Sequence, residues 1–292
     1  MPYAHNGDVR LYYEYFGASS ERDVLLINGA GRQCVDFADA FCESISGYDF
    51  RVIRYDQRDT GMSTSFAEHR PDAAGVAEAL AAGHVPSLPY DIGALAADAL
   101  AVLDASGSQR AHVFGRSLGS AVAQMIALER PERILSMTLA IAFSRGIGHA
   151  IPVRRLRELD AERFSGEASF IARQIEVARA LGNPVYFDRE RVHADAALAF
   201  HRGVHEGANA RHFMVGLAIP DLRPRLARLQ MPVQIIHGRL DRIVPLQFAE
   251  ETAAAIPAAK LAVLDDMAHE APPALWRRWI DLFVHNAAGG TT

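Results

Sequence analysis

One short stretch of the sequence reads His112-Val113-Phe114-Gly115-Arg116-Ser117-Leu118-Gly119-Ser120-Ala121. It places the pattern Gly-x-Ser-x-Gly between an apolar run typical of a strand and a helical pattern that stops at Pro131. In this context a serine sits on a sharp turn, with its hydroxyl exposed above the start of a helix. The small residues Ser120 and Ala121 allow that helix to lie close to a sheet. The pattern alone is weakly specific, but its strand-turn-helix context makes Ser117 a candidate nucleophile.

The surrounding sequence alternates short β-branched runs with longer helical patterns, which indicates a mostly parallel sheet covered by helices. The run at residues 24–27 is apolar at every position, as expected of a strand that is buried on both faces. We predict strands at residues 9–16, 24–28, 50–55, 111–115, 134–140, 233–237 and 260–264. We predict helices at residues 91–106, 118–130, 246–255 and 273–285.

The strand signal disappears between residues 145 and 220, where a helical pattern rich in Arg, Ala and His replaces it. We interpret this segment as an inserted helical lid at residues 145–220. Residues 1–144 and 221–292 then form one α/β core. A second long connection, at residues 66–89, contains three prolines, and we expect it to be irregular and either functional or mobile.

The composition is that of an ordinary globular chain, with 292 residues, 50% of them hydrophobic and 22% charged. The net charge of −5 argues against binding to nucleic acid. No apolar run is long enough for a membrane span, and the first residues lack the pattern of a signal peptide, so we expect a cytoplasmic protein with no membrane partner. Cys34 and Cys42 are too few for a disulfide framework and lack zinc-site spacing, so we expect packed thiols.

A serine hydroxyl needs a base within hydrogen-bond reach and a carboxylate that holds this base in the right tautomer. Asp241 follows the predicted strand 233–237, and His269 follows the predicted strand 260–264. Because the carboxyl ends of parallel strands meet at one edge of a sheet, we expect both side chains near Ser117. The chain thus supplies a nucleophile, an acid and a base, in that order.

The chain resembles the α/β-hydrolase fold superfamily over nearly its whole length, and within it the aclacinomycin methylesterase group of polyketide-modifying esterases. The resemblance rests on the serine stretch, on the order of the three candidate residues, and on two segments: LINGA at residues 26–30 and RYDQRDTGMS at residues 54–63. In that group Asn28 replaces the more usual His of a His-Gly turn. The resemblance implies a mostly parallel eight-stranded sheet with helices on both faces and an inserted helical lid.

The resemblance also implies the roles at the site. Ser117 is the acylated nucleophile, His269 the general base and then acid, and Asp241 the orienting carboxylate. The backbone N–H groups of Ala30 and Leu118 form the oxyanion hole. No metal and no organic cofactor is required.

Three further residues are candidate substrate contacts: Arg116, Asn28 and Gly29. Arg116 directly precedes the nucleophile, where a guanidinium needs a partner, so that it either pairs with a lid carboxylate such as Glu206 or binds substrate. We expect Asn28 to shape its turn rather than to touch the oxyanion.

Several other polar residues have simpler interpretations. Three acids are rivals of Asp241, but neighbours along one loop reach the far ring nitrogen of His269 poorly: Asp265, Asp266 and Glu270. Four lid histidines are interpreted as polar lid surface or pocket lining, because no carboxylate or cysteine completes a metal-ligand set with them: His193, His201, His205 and His212. The arginines at 154, 155 and 157 fit a solvated helix face, and Asp56 and Arg58 fit a network that fixes their loop.

We therefore predict a serine esterase that cleaves a carboxylic ester of a bulky, polyketide-like or macrolide-like small molecule through an acyl-enzyme. The lid and the 66–89 connection favour an enclosed pocket. Removal of a methyl ester and opening of a macrocyclic lactone, as in an antibiotic-inactivating esterase, both remain open. A perhydrolase or carbon-carbon bond hydrolase would use the same triad, and the rival from another class is a ligand sensor with negligible turnover. The serine at position 117 argues against haloalkane and epoxide hydrolases, which need a carboxylate nucleophile.

Overall fold

The computed structural model describes residues 2–18, 22–148 and 151–289, and these contain one sheet of eight strands. The strands are β1 (Tyr3–Asn6), β2 (Val9–Phe16), β3 (Asp23–Ile27), β4 (Arg51–Tyr55), β5 (Ala111–Arg116), β6 (Ile134–Ala140), β7 (Val233–Gly238) and β8 (Ala259–Leu264). Their order in the sheet is β1-β2-β4-β3-β5-β6-β7-β8. Only β2 runs against its neighbours β1 and β4 among the described strands, so the sheet is mostly parallel, as predicted.

The helices connect the strands and cover the sheet. They are α1 (Asp39–Ser46), α2 (Ala73–Ala81), α3 (Ile92–Ala105), α4 (Leu118–Glu129), α5 (Val153–Asp160), α6 (Glu167–Leu181), α7 (Arg189–Arg202), α8 (Ala208–Leu217), α9 (Arg223–Leu226), α10 (Leu246–Ala255) and α11 (Pro273–Ala287). No helix among the described residues is long and apolar enough to cross a membrane.

The two faces of the sheet are covered by different helices. Successive side chains of a strand point to opposite faces. In β5, the ring of Phe114 stacks on Trp279 of α11, whereas Gly115 lies against the backbone of α4. Helices α11 and α4 therefore lie on opposite faces. Every residue of β3, β5 and β7 is buried, which explains the mainly apolar composition of these strands.

Between β6 and β7 the chain forms α5 to α9 and no strand in its described part. Helices α6 and α7 pack around a small apolar cluster of their own, separate from the main core: Phe170, Ile171, Ile175, Val192 and Ala196. Helices α5 and α8 instead pack against α2. Residues 149–150 of the predicted lid lie outside the described residues, as do residues 1, 19–21 and 290–292 of the predicted core.

The connection at residues 66–89 is less irregular than expected, because it contains α2. The side chain of Asp72 caps this helix by accepting the N–H of Gly75 at 2.9 Å. Asp160 of α5 accepts the N–H groups of Ala73 and Ala74. The prolines of the connection lie outside the helix, so they bound it without interrupting it.

Candidate active site

Ser117 lies in the turn between β5 and α4, with φ at +52° and ψ at −119°. A residue with a side chain rarely adopts this positive φ, and such strain persists only where the surroundings impose it. The Ser117 N–H donates to the carbonyl of Ala140 in β6 at 2.9 Å. A Cβ on Gly115 would overlap the carbonyl of Gly119, and a Cβ on Gly119 would overlap the carbonyl of Ile27. Glycine is therefore required on both sides of the serine.

His269 and Asp241 are joined by a hydrogen bond of 2.9 Å between His269 Nδ1 and Asp241 Oδ2. The other carboxylate oxygen accepts the N–H groups of Ile243 and Val244 at 2.8 and 2.9 Å. Burial disfavours the charged form of Asp241, but His269 and the two N–H groups outweigh this effect and hold the pKa of the carboxyl below its usual value. An ionised Asp241 keeps the proton of His269 on Nδ1, which leaves Nε2 free to accept a proton.

The three acidic neighbours of His269 have other partners. Asp265 bonds to Arg239, Asp266 to Arg278, and Glu270 to Arg32. None of the three bonds to His269 within the described parts of the chain, so Asp241 is the carboxylate that orients this ring.

One cavity, with a volume of about 420 Å³, is lined by both Ser117 and His269. The edge of the sheet forms one side of it, and residues of α5 to α8 form the other. Aromatic rings contribute much of the lining: Phe143, Phe164, Phe170, Phe187, Phe213, Tyr186 and Trp276. Its volume lies within the range of about 300 to 1,000 Å³ that is usual for small-molecule sites.

The two predicted oxyanion donors also line this cavity. Leu118 is the first residue of α4, where a backbone N–H has no acceptor inside the helix. The N–H of Ala30 likewise bonds to no acceptor in the part of the chain that the structure describes. Both groups are thus available to a bound oxyanion.

His212 of α8 holds the turn that carries Ala30, a role that sequence reasoning missed. Its Nδ1 accepts the N–H of Gly31 at 3.1 Å, and its Nε2 donates to the carbonyl of Arg58 at 3.0 Å. Burial lowers the pKa of the imidazole, which keeps it in the neutral form that these two bonds need. His212 is therefore not part of a polar lid surface but a buried link between α8 and two loops of the core.

Asn28 shapes the same turn and does not line the cavity. Its side-chain oxygen accepts the N–H of Gly29 at 2.9 Å, and its side-chain amide donates to the carbonyl of Gln33 at 2.8 Å. Because Asn28 is buried and its polar atoms are engaged, the structure does not place it for the direct substrate contact that the sequence suggested. Gly29 does lie in the cavity wall.

A second link between α8 and the core is the ion pair of Arg211 and Asp59, whose side chains are both completely buried. Two guanidinium nitrogens donate to the carboxylate at 2.5 and 2.8 Å, and the Tyr90 hydroxyl donates to it at 2.9 Å. Arg211 also donates to the carbonyls of His69 and Glu206. The loop after β4 is thereby fixed to α8.

The predicted network at Asp56 and Arg58 exists, but these two residues bond to others. Asp56 pairs with Arg202 of α7, and Arg58 pairs with Asp98 of α3. Both pairs are largely buried, in agreement with a role in fixing the loop.

The four histidines of the predicted lid lie either on the exposed surface or in the wall of the cavity. His193 and His201 are exposed, whereas His205 and His212 line the cavity. No group of three or more His, Cys, Asp or Glu is arranged to hold a metal within the described ranges.

Cys34 and Cys42 are free and buried, and burial raises the pKa of the Cys42 thiol to about 12.

Arg116 lines the cavity, and of the two alternatives stated for it, the pairing with Glu206 is wrong. Glu206 forms an ion pair with Arg163 instead, and both side chains are exposed. The remaining expectation for Arg116 is contact with substrate.

Comparisons with known proteins agree with this geometry. The family model of the alpha/beta hydrolase fold matches residues 24–272. The rhodomycin D methylesterase of Streptomyces peucetius is 31% identical to this chain, over 92% of each. The rhodomycin D methylesterase of Streptomyces sp. strain C5 is 30% identical, over 92% of this chain and 91% of its own. These matches confirm the resemblance to the methylesterase group.

Among solved structures, the enol-lactonase from Burkholderia xenovorans LB400 superposes with a TM-score of 0.75 at 24% identity. The match covers 98% of this chain and 100% of that chain, and it supports the fold. The chain therefore belongs to the α/β-hydrolase fold family, among its carboxylic ester hydrolases.

Proposed function

We propose that this protein is a serine esterase that cleaves a carboxylic ester of a bulky, polyketide-like or macrolide-like small molecule. The observation that carries the proposal is the hydrogen bond between His269 and Asp241 at a cavity that Ser117 also lines. Removal of a methyl ester is favoured over opening of a macrocyclic lactone, because relatives that match over most of the chain are named rhodomycin D methylesterases.

The proposed reaction passes through an acyl-enzyme. The Ser117 hydroxyl attacks the ester carbonyl while His269 takes its proton, and Asp241 stabilises the imidazolium that forms. The N–H groups of Ala30 and Leu118 bond to the oxyanion, each contributing about 3 kcal/mol of transition-state stabilisation. His269 then protonates the leaving alcohol and activates the water that releases the acid.

The proposed division of the chain explains why the substrate would be bulky. We take residues 145–220 as a lid over a core formed by residues 1–144 and 221–292. Apolar residues from α5, α6, α7 and α8 line the cavity together with the sheet edge: Leu159, Val177, Val192 and Phe213. Such an enclosed wall favours a large, rigid and mainly apolar substrate that carries the ester.

The test is an incubation with a panel of polyketide methyl esters and macrocyclic lactones, followed by mass spectrometry. Hydrolysis of a methyl ester lowers the mass by about 14 Da, whereas ring opening by water raises it by about 18 Da. Ser117→Ala is the control and should show no product. Full activity of Ser117→Ala would refute the role of the serine, and absence of repeated turnover on every ester and lactone would favour a ligand sensor.

A further inference from the structure

Arg116 is a buried cation that faces the cavity and has no direct hydrogen-bond or ion-pair partner among the described residues. It ends β5, directly before Ser117, and 7% of its surface is exposed. Its side chain forms no hydrogen bond and no ion pair with any residue that the structure describes. A guanidinium carries several N–H donors, and burying its charge is unfavourable unless an acceptor compensates.

The other arginines of the cavity wall differ from Arg116, because each has a carboxylate partner. Arg32 bonds to Glu270, Arg155 to Glu158, Arg173 to Glu162, and Arg191 to Asp195. The unpaired state is thus specific to the arginine next to the nucleophile.

The two carboxylates that interact electrostatically with Arg116 already bond to another arginine. Glu270 and Asp36 both bond to Arg32, at 2.9 and 3.2 Å. Asp36 also accepts the backbone N–H of Gln33. Burial lowers the pKa of the Arg116 guanidinium, but an arginine remains charged at neutral pH. Glu270 and Asp36 therefore offset part of the charge of Arg116 electrostatically, but neither accepts a hydrogen bond from its guanidinium.

We propose that Arg116 binds an anionic oxygen group of the substrate, so that the natural substrate is an acidic ester. A carboxylate matches the planar fork of a guanidinium with two parallel hydrogen bonds, and it supplies the acceptors that Arg116 lacks. Because Arg116 adjoins Ser117, this anionic group lies on the same side of the substrate as the ester that is cleaved. The inference rests on the proposed function, since it specifies the substrate of the same cavity.

The test compares p-nitrophenyl esters that differ only in charge. The acidic esters are the monoesters of succinic, glutaric and adipic acid, and the neutral esters have acyl chains of the same length. We expect Arg116→Gln to lower kcat/KM for the best acidic ester by about 10- to 100-fold more than for its neutral counterpart. Arg116→Lys should retain part of this preference, because it keeps the charge and loses the fork.

Arg155→Gln is the matched control, since it removes another arginine of the same wall that already has a partner. This variant should not change the ratio of kcat/KM for the acidic ester to kcat/KM for the neutral ester. A purely structural role of Arg116 would appear as a lower Tm of Arg116→Gln, which we do not expect, because the substitution breaks no hydrogen bond or ion pair among the described residues. An equal loss on acidic and neutral esters, or the same loss of preference in Arg155→Gln, overturns the proposal.

A failure of the proposed function would look different. In that case wild-type protein would hydrolyse none of the esters, or Ser117→Ala would hydrolyse them as well as wild type. Binding then tests Arg116 separately, through calorimetry of free glutarate with Ser117→Ala and with the Ser117→Ala, Arg116→Gln double variant. The proposal expects at least about 10-fold weaker binding to the double variant, and equal binding refutes it.

Discussion

Replacing Arg211 by Met should destabilise the fold by about 3 to 5 kcal/mol. The Asp59 carboxylate that Arg211 neutralises is completely buried, and it would lose two short hydrogen bonds together with its counter-charge. The bonds from the Tyr90 hydroxyl and the Phe66 N–H would remain, but neither carries a positive charge. The carbonyls of His69 and Glu206 would also lose a donor.

Urea unfolding, followed by circular dichroism, measures this loss, and thermal unfolding should show a fall in Tm of about 6 to 20 °C. The control is Arg223→Met, because Arg223 forms its ion pairs with Asp221 and Glu251 at a site that is partly open to solvent. Its substitution should change the free energy of unfolding by no more than about 1 kcal/mol.

The double variant Asp59→Asn, Arg211→Met separates loss of the charge pair from loss of packing. Asn tolerates the positive φ of Asp59, which is 69°, and removes the uncompensated charge. The double variant should therefore be more stable than Arg211→Met alone. A loss below about 1 kcal/mol for Arg211→Met, or strict additivity of the two substitutions, would show that the pair does not hold α8 to the core.

Two further predictions concern the site and the pH dependence of stability. Asp241→Asn should lower kcat by about ten-thousand-fold, since an amide favours the wrong tautomer of His269; esterase kinetics measure this, and a loss below about tenfold would contradict it. Burial lowers the pKa of His112 from 6.5 to about 4, so the unfolded chain takes up a proton first as the pH falls. The contribution of His112 to the free energy of unfolding is present above pH 6.5 and is lost as the pH falls. We expect a decrease of about 2 kcal/mol between about pH 7 and pH 5. Urea titrations of wild type and His112→Phe should differ by this amount, and parallel pH profiles would refute the assignment.

The sheet was predictable because its signal is local. The seven predicted strands lie within one residue of the observed bounds, since apolar runs flanked by turn residues mark strands that are buried on both faces. The first strand, Tyr3–Asn6, was missed because it is short and has little apolar character. Helix α2 was missed because the prolines around it suggested irregular chain, although none of them lies inside the helix.

The part of the site that was predictable is the part with a sequence pattern. Gly115 and Gly119 flank the serine at a fixed spacing, and the loops with Asp241 and His269 each follow a strand. The contacts of His212 have no such pattern, because its partners Gly31 and Arg58 are 181 and 154 positions away. Only the packing of α8 on the core brings these residues together.

The links of α8 to the core limit how a new substrate range can arise. Helices α6 and α7 carry their own apolar cluster, so they can be repacked or exchanged where Arg202 keeps its pair with Asp56 and the Leu181 carbonyl still accepts the N–H of His269. Helix α8 cannot be exchanged in this way, because Arg211 and His212 fix the loop after β4 and the turn that bears Ala30. A chimera that takes its whole helical segment from another esterase would thus alter the reaction centre together with the pocket, whereas substitutions at the cluster residues Phe170, Val192 and Ala196, which line the cavity, would leave these links in place.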